Sequence, residues 1–531
     1  MSRVATATAE PPPDAPEPAR RRPRPVLHPF LFTVFPIAFL VARNTTDDIG
    51  PWEVLEPLGI ALAVAAVVFA VLWLVLRDPH AAGLLTSGLV LLFFSFGHVQ
   101  DLRDPNHLHP SAHRLLIGYL LLALALILGT ILGTIRWRPA FGRITPGLNL
   151  IAGVLVVMNL VPIVAARPRG GDGSIGSDVQ LAAPARPRDV YFIIFDRYAD
   201  EITLRDRFDY DNTPFLTSLG DRGFDVVTDA VANYPKTAHS LAATLNMSFL
   251  DELVTEEGVN SGNWQPIYEG LQNFRVARAL ESIGYAYDHI GSWWSPTHDD
   301  ATADRNFVYG RGEFSQTLLD TTIWPVLSGT VGISELQNAN LAQYHRVAFQ
   351  FDAIDEIEAD PDPTFTFAHF TLPHPPYVFD AHGNYVTPDL VSEGLDGPYL
   401  EQLKYTNTAM LQMIDRLLEG PDEDDPIVVI QSDEGPHPAR LEADEDSFEW
   451  PDATDAELGG KFRILDAMYL PGEGPDADLG SFTPVNTFRI VFDRYFGADL
   501  PLLPDRSWVF QDSTHPYRFT EITDRLATLQ T

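Results

Sequence analysis

The sequence predicts two parts in different solvents, an N-terminal bundle of five transmembrane helices followed by an α/β domain on a largely parallel central sheet. Three observations predict this. Uncharged apolar runs crowd the first third of the 531 residues, each near the ~20 residues that a bilayer requires. Beyond residue 186, strand-like apolar runs alternate with helical patterns, the signature of a parallel sheet layered between helices. Two of those runs, in 190–198 (VYFIIFDRY) and 426–435 (PIVVIQSDEG), stop at acids. Such strands are buried on both faces, and ligands gather at their carboxyl ends.

Residues 1–25 are rich in Pro, Ala and Arg without apolar periodicity, which predicts a disordered cytoplasmic tail. Five spans follow within 26–168, at about 27–43, 55–76, 83–100, 115–135 and 148–166; Pro29 and Pro36 interrupt the first. Arg20, Arg21, Arg22 and Arg24 precede it, and Arg77, Arg136, Arg138 and Arg143 fall in alternate loops, while Asp47, Asp48, Glu53, Asp101 and Asp104 fall in the others. The positive-inside rule then holds the N-terminus in the cytoplasm and puts the chain after residue 166 outside a cell membrane. His98, His107, His109 and His113 cluster in one outer loop, with a spacing that fits no ligand motif and reads as a polar interfacial loop. The linker, 169–186, contains GGDGSIGS and is flexible by composition.

In the extracytoplasmic domain, 187–531, further strands are expected at 224–227, 364–370, 427–431 and 464–469, and helices at 213–219, 240–246, 403–418 and 486–496. The sequence holds no internal repeat, Gly-rich phosphate loop or dinucleotide fingerprint.

Charge and composition exclude several classes of function. The net charge is −36, and its asymmetry matters more than its sum: residues 1–168 hold 13 Arg and 10 Asp/Glu, the remainder 23 Lys/Arg against 62 Asp/Glu. An acidic extracytoplasmic domain is a poor partner for nucleic acid. There is no cysteine, which removes disulfides, thiolate metal sites and any nucleophile derived from cysteine.

The chemistry-bearing candidates lie in four stretches. Asp196, Asp433 and Glu434 end strands. In 233–247 (NYPKTAHSLAATLNM) a Pro-containing turn leads into a helical pattern, so Thr237 falls at a helix N-terminus, where free N–H groups and the helix dipole favour an anion. Thr237 reads either as an ordinary N-cap or as a nucleophile beside a metal held by Asp196, Asp433 and Glu434, with Lys236 meeting an anionic substrate. In 367–379 (FAHFTLPHPPYVF) prolines flank His374, a candidate ligand for the substrate's phosphate or a general acid; His369 reads as structural. His437 stands two residues past Gly435 and is a further substrate contact.

The order of membrane spans, FDRY, a KT-bearing turn, LPHPPY and SDEG resembles the sulfatase-like branch of the alkaline phosphatase superfamily, and in its membrane-anchored form the lipoteichoic acid synthases and phosphoethanolamine transferases. LQNFRVARAL, IGSWWSPT, EFSQTLLDTT and TPVNTFRIVFDRYFGADLPLLPD extend the resemblance to membrane-bound sulfatase-like proteins over most of 187–520. It implies that Asp196, Thr237 and Asp433 hold a metal, that Thr237 is the nucleophile and that His374 contacts substrate. The chain departs from that pattern at Glu434, where those transferases usually have histidine. An all-oxygen ligand set favours Mn²⁺, Mg²⁺ or Ca²⁺, with Zn²⁺ possible. KTAHS lacks the C/S-x-P/A-x-R setting of the main sulfatase class. The expected function is a membrane-anchored, metal-dependent phosphoester transferase or hydrolase acting on an anionic lipid or envelope glycan. A sulfuric ester hydrolase and a non-catalytic envelope binding protein are the alternatives.

Overall fold

The computed structural model describes residues 25–45, 49–103, 112–165, 175–227, 229–331, 339–358, 362–386, 396–421, 425–445, 447–472 and 480–529. The expected tail up to residue 24 with its arginines, Asp47, Asp48, Asp104, His107, His109 and residues 169–174 of the linker lie outside them.

Four N-terminal helices are long and apolar enough to cross a membrane: α2 (Pro51–Leu76), α3 (Pro79–Arg103), α4 (Ala112–Arg136) and α5 (Arg138–Ala165). The first apolar run forms a shorter helix, α1 (His28–Arg43), of 16 residues, about 24 Å at 1.5 Å per residue. Its N-terminal turn is completed by a side chain from α5. Asn149 Oδ1 accepts from the N–H groups of Leu27 and His28 at 3.1 and 2.9 Å, and Asn149 Nδ2 donates to the Pro25 carbonyl.

The following domain is built on a seven-stranded sheet in the order β2-β7-β6-β1-β5-β3-β4. Its strands are β1 (Val190–Phe195), β2 (Asp225–Val226), β3 (Ala286–Ile290), β4 (Arg305–Phe307), β5 (Thr364–Phe370), β6 (Ile427–Gln431) and β7 (Asp466–Tyr469). β1 pairs in parallel with β5 and β6, β5 with β3, and β3 with β4; β7 runs antiparallel to both β6 and β2. β5 and β6 have the expected bounds. The expected strand 464–469 begins two residues late, because Ile464 makes only an isolated bridge to Ala199.

Alternation along β1 separates two cores. Val190, Phe192 and Ile194 face Leu241, Leu245, Phe488 and Val491, while Tyr191, Ile193 and Phe195 face Ile354, Met410 and Ile414. Each of these large side chains, fully withdrawn from water, contributes roughly 1.5–3 kcal/mol. The register Phe195↔Phe370 and Ile194↔Gln431 makes β1, β5 and β6 end together. Asp196, Thr371 and Ser432–Asp433 therefore leave one edge of the sheet.

Two short helices, Glu313–Asp320 and Trp324–Val331, join this domain to the membrane helices. Phe314 and Leu318 pack with Ile37 and Phe94, and Ile323 packs with Phe96, Leu115 and Leu116. The Gly97 N–H donates to the Thr321 carbonyl at 3.0 Å, an approach so close that a Cβ on Gly97 would collide with the Asp320 carbonyl. The C-terminal ends of α1 and α3 and the N-terminal end of α4 thus share the side of the bundle that carries the α/β domain.

Candidate functional site

Asp196 follows β1 directly, and its backbone is fixed from several sides. Its N–H donates to the Phe370 carbonyl, its carbonyl accepts from the His374 N–H, and the Tyr198 N–H donates to Ser432 Oγ. Between these anchors Arg197 takes a left-handed conformation, φ +63°, uncommon for a residue with a Cβ. That turn swings its guanidinium back over the sheet edge.

Thr237 opens the helix Thr237–Asn246. The turn before it is clamped by Asn233, whose side chain donates to the Arg506 carbonyl and accepts from the Val485 N–H, while its carbonyl accepts from the Trp508 N–H. Thr237 comes close enough to Asp433 for its hydroxyl to favour the ionised carboxylate. The structure thus brings Asp196, Thr237, Asp433 and Glu434 to one place.

The three acids are buried in different electrostatic states. Burial and the neighbouring Glu434 push Asp196 up to about 7, and burial with the charges of Asp196 and Glu434 pushes Asp433 well above the usual carboxylate range. Glu434 is held well below it despite burial, chiefly by Lys461, with His437 and Arg197 adding to the effect. Lys461 Nζ lies 2.6 Å from Glu434 Oε1 and donates to the Gly435 carbonyl at 2.9 Å; Arg197 Nε and His437 Nε2 each lie 3.4 Å from the same carboxylate oxygen. Gly435 permits this. Its N–H donates to the Lys461 carbonyl, and a Cβ there would collide with the carbonyl of Gly460.

Four carboxylate oxygens of this cluster are buried without a hydrogen-bond partner: Asp196 Oδ1, both oxygens of Asp433, and Glu434 Oε2. Among the described residues no three His, Asp or Glu side chains already stand as a closed ligand set. Even so, unpaired buried oxygens around a threonine hydroxyl are donors suited to a divalent cation, so the residues fit one.

His374 presents Nε2 4.0 Å from Asp196 Oδ2, with the Trp293 ring 6.0 Å from its own. Burial and the Arg197 charge hold it well below the usual histidine range. A neutral imidazole is a hydrogen-bonding group at neutral pH, and a poor general acid. Lys236 is paired with Glu445 at 2.5 Å. His437 is buried, its Nε2 3.0 Å from Arg197 Nη2.

Three residues at the site escape sequence reasoning. His369, read as structural, directs Nε2 toward Asp196 Oδ2 at 3.7 Å without a hydrogen-bond partner, its ring fixed by Thr297 Oγ1 at Nδ1. Arg197 was visible within FDRY, but its direction depends on the left-handed turn. Lys461 approaches Glu434 from a helix 27 positions away, and its only signal was lysine's rarity, three in the chain. Of the four clustered histidines, His98 lies edge-on to Phe39, and nothing gathers it with His113 into a site.

A family model described as Sulfatase matches residues 192–467, just over half of the chain. No curated protein sequence matches. Similar solved structures include the C-terminal periplasmic domain of EcEptC from Escherichia coli, 13% identical, covering 65% of this chain and 96% of that one with a TM-score of 0.41. The integral membrane lipooligosaccharide phosphoethanolamine transferase A from Neisseria meningitidis is 12% identical, covering 88% and 95% with a TM-score of 0.38. The phosphonate monoester hydrolase of Agrobacterium radiobacter is 12% identical, covering 61% and 80% with a TM-score of 0.37.

Proposed function

The chain belongs to the sulfatase family, and from that premise we propose that it is a membrane-anchored, metal-dependent phosphoester transferase or hydrolase with Thr237 as nucleophile. One observation carries the reading: Thr237 opens a helix beside four buried, unpartnered carboxylate oxygens. Asp196, Asp433, the Thr237 hydroxyl and Glu434 Oε2 would hold the cation, with Mn²⁺, Mg²⁺ or Ca²⁺ favoured by oxygen donors and Zn²⁺ admitted by the nearby His369. A bound divalent cation supplies Lewis-acid polarisation of the phosphoryl oxygens and eases ionisation of an adjacent hydroxyl.

The chain's own groups do the rest. Thr237 Oγ1 attacks phosphorus, and its proton passes to solvent water, since the Asp433 oxygens would be given to the cation. The P–O bond to the leaving group breaks, and that oxygen takes the proton, leaving a phosphothreonine that water or an alcohol acceptor resolves. First-turn N–H groups of the helix face the charge that develops on the phosphoryl oxygens. His374, being neutral, orients the ester by hydrogen bonding, and Lys236, released from Glu445, and His437 are the further substrate contacts.

The five helices are read as five crossings of a cell membrane, the short α1 included. The shared side of the bundle that carries the α/β domain supports an extracytoplasmic site, and tethering beside a bilayer suits a lipid-linked or envelope-glycan substrate. The test is turnover of an aryl phosphodiester and an aryl sulfate by the full-length protein in detergent, wild type against Thr237→Ala, with divalent cation supplied. Phosphoester turnover that vanishes in the variant supports the proposal. Faster sulfate turnover would make the protein a sulfuric ester hydrolase. No turnover with either ester would leave an envelope binding protein, a reading favoured by the occupation of Glu434 Oε1 by Lys461.

A further inference from the structure

Partly exposed aromatic rings run outward from His369. Trp294, Tyr268 and Trp264 pack against the core that holds Phe192 and Leu241, and each keeps part of its surface open to solvent. The ring centres follow one another in short steps. Trp294 stands at 81° to His369 with 6.3 Å between centres, Tyr268 at 82° to Trp294 with 5.9 Å, and Trp264 is stacked on Tyr268 at 23° and 5.9 Å. The inner end of the row meets the acid cluster, because His369 Nε2 lies 3.7 Å from Asp196 Oδ2.

We propose that this row is a carbohydrate platform, on which Trp294 and Tyr268 stack the pyranose rings of an uncharged glycan. The rings are held in place before any ligand arrives. The Trp294 N–H donates to Ser292 Oγ at 3.1 Å, Ser292 Oγ lies 2.8 Å from Thr297 Oγ1, and Gln350 Nε2 donates to the carbonyls of both Gly291 and His369, at 3.0 and 2.8 Å. From the Tyr268 side Gln272 Nε2 donates to the Pro296 and Asp299 carbonyls at 3.1 and 3.0 Å, so the two stretches that supply the rings form one surface. Trp264 is fixed by its own Nε1, which donates to the Ser513 carbonyl at 2.8 Å. Rigid aromatic side chains give large contact area with little entropy left to lose on binding.

The chemistry of the surface selects its occupant. A pyranose presents C–H bonds on its faces and hydroxyls around its edge. The C–H faces suit the negative face of an aromatic ring, and the hydroxyls suit the polar side chains of Gln265 and Glu269 beside Tyr268 in the chain. Charge argues for an uncharged sugar, since residues 169–531 hold 62 Asp/Glu against 23 Lys/Arg and Glu269 and Asp299 flank the row. Tryptophan and tyrosine also mark membrane surfaces, but flanking acids are repelled by an anionic headgroup layer. A sugar on Trp294 would be next in line to an ester at the acid cluster. That last step rests on the phosphoester reading; the platform does not.

The test is calorimetric titration of cellopentaose and of maltopentaose into the full-length protein, in a detergent without a sugar head group, for wild type, Trp294→Leu, Trp294→Phe and Tyr268→Leu, with folding checked by thermal melting. Wild type should bind at least one of the two sugars. Trp294→Leu should weaken that binding by about tenfold and Tyr268→Leu by about threefold, and Trp294→Phe, which keeps a ring, should fall between wild type and leucine. Should Trp294→Leu melt early, Trp294→Phe and Tyr268→Leu decide. No heat with either sugar, or affinities equal to wild type in the folded variants, would overturn the platform. So would quenching of tryptophan fluorescence by brominated lipid in bilayer discs that falls in Trp294→Leu, since a membrane would then cover the rings. Sugar binding through Trp294 without turnover of any ester leaves the platform standing while the proposed activity falls; ester turnover without sugar binding does the reverse.

Discussion

Lys461 Nζ lies 2.6 Å from Glu434 Oε1 with neither side chain reaching water, so each is the other's principal answer to burial. Breaking such a pair from one side strands a charge, at a cost of roughly 3–5 kcal/mol. Lys461→Met should therefore destabilise the protein by that order, and Glu434→Gln added to it should recover most of the loss. Thermal melting of the two variants in detergent is the check. A single variant as stable as wild type would mean that Arg197 and His437 suffice to hold Glu434.

Asp433 leaves both of its oxygens unpartnered. Elemental analysis of purified wild type should find a stoichiometric divalent cation, and Asp433→Ala should lose it. Protons compete for the same oxygens, since Asp196 is pushed up to about 7. Cation affinity should then rise about tenfold per pH unit below pH 7 for each proton displaced and level off above it. A flat profile from pH 5 to 8 would speak against the two aspartates as ligands.

Asp466 offers a pH effect away from that cluster. Burial raises its carboxyl from the ordinary 3.8 to about 7, against a hydrogen bond from Gln431 at 2.6 Å that favours ionisation. The native state then binds the proton more tightly than the unfolded chain does. The stabilisation is complete below about pH 4 and is lost as pH rises toward 7, amounting to about 4 kcal/mol at most. Asp466→Asn should flatten the urea midpoint across pH 4–7. Equal slopes in wild type and variant would refute the assignment.

Phe314, Leu318 and Ile323 are buried against the membrane helices. Expressed without residues 1–186, the α/β domain should expose them and self-associate on size-exclusion chromatography. Leu318→Glu combined with Phe314→Ser should reduce that association, and an unmodified domain that elutes as a monomer would argue against the docking surface.

The sheet edge that carries Asp196 and Asp433 was legible because β1 and the body of β6 are apolar runs that stop at polar residues, and strands buried on both faces leave that trace. Thr237 was legible for a similar reason, a proline turn ahead of a helical pattern. β3 and β4 were not. AYDHI and RNF carry charges within the strands, and only the fold reveals that Asp288 meets Arg305 at 2.6 Å across them. Nor could 313–331 be separated from the rest of the α/β domain, since an apolar face looks alike whether it meets a soluble core or a membrane helix. Glu434 stood out in the sequence by the resemblance alone, and its counter-ion Lys461 is a tertiary fact.

Asn149 bears on how the chain is made. The first N–H groups of a helix have no partner within it, and two at the start of α1 find an acceptor on α5, in Asn149 Oδ1. The N-terminal turn of α1 therefore stays unfinished until more than a hundred further residues have been synthesised and α5 comes alongside. Biogenesis would end with the two extremities of the bundle fastened together. A chain stopped short of residue 149 would present an open-ended first helix to the insertion machinery and its quality control.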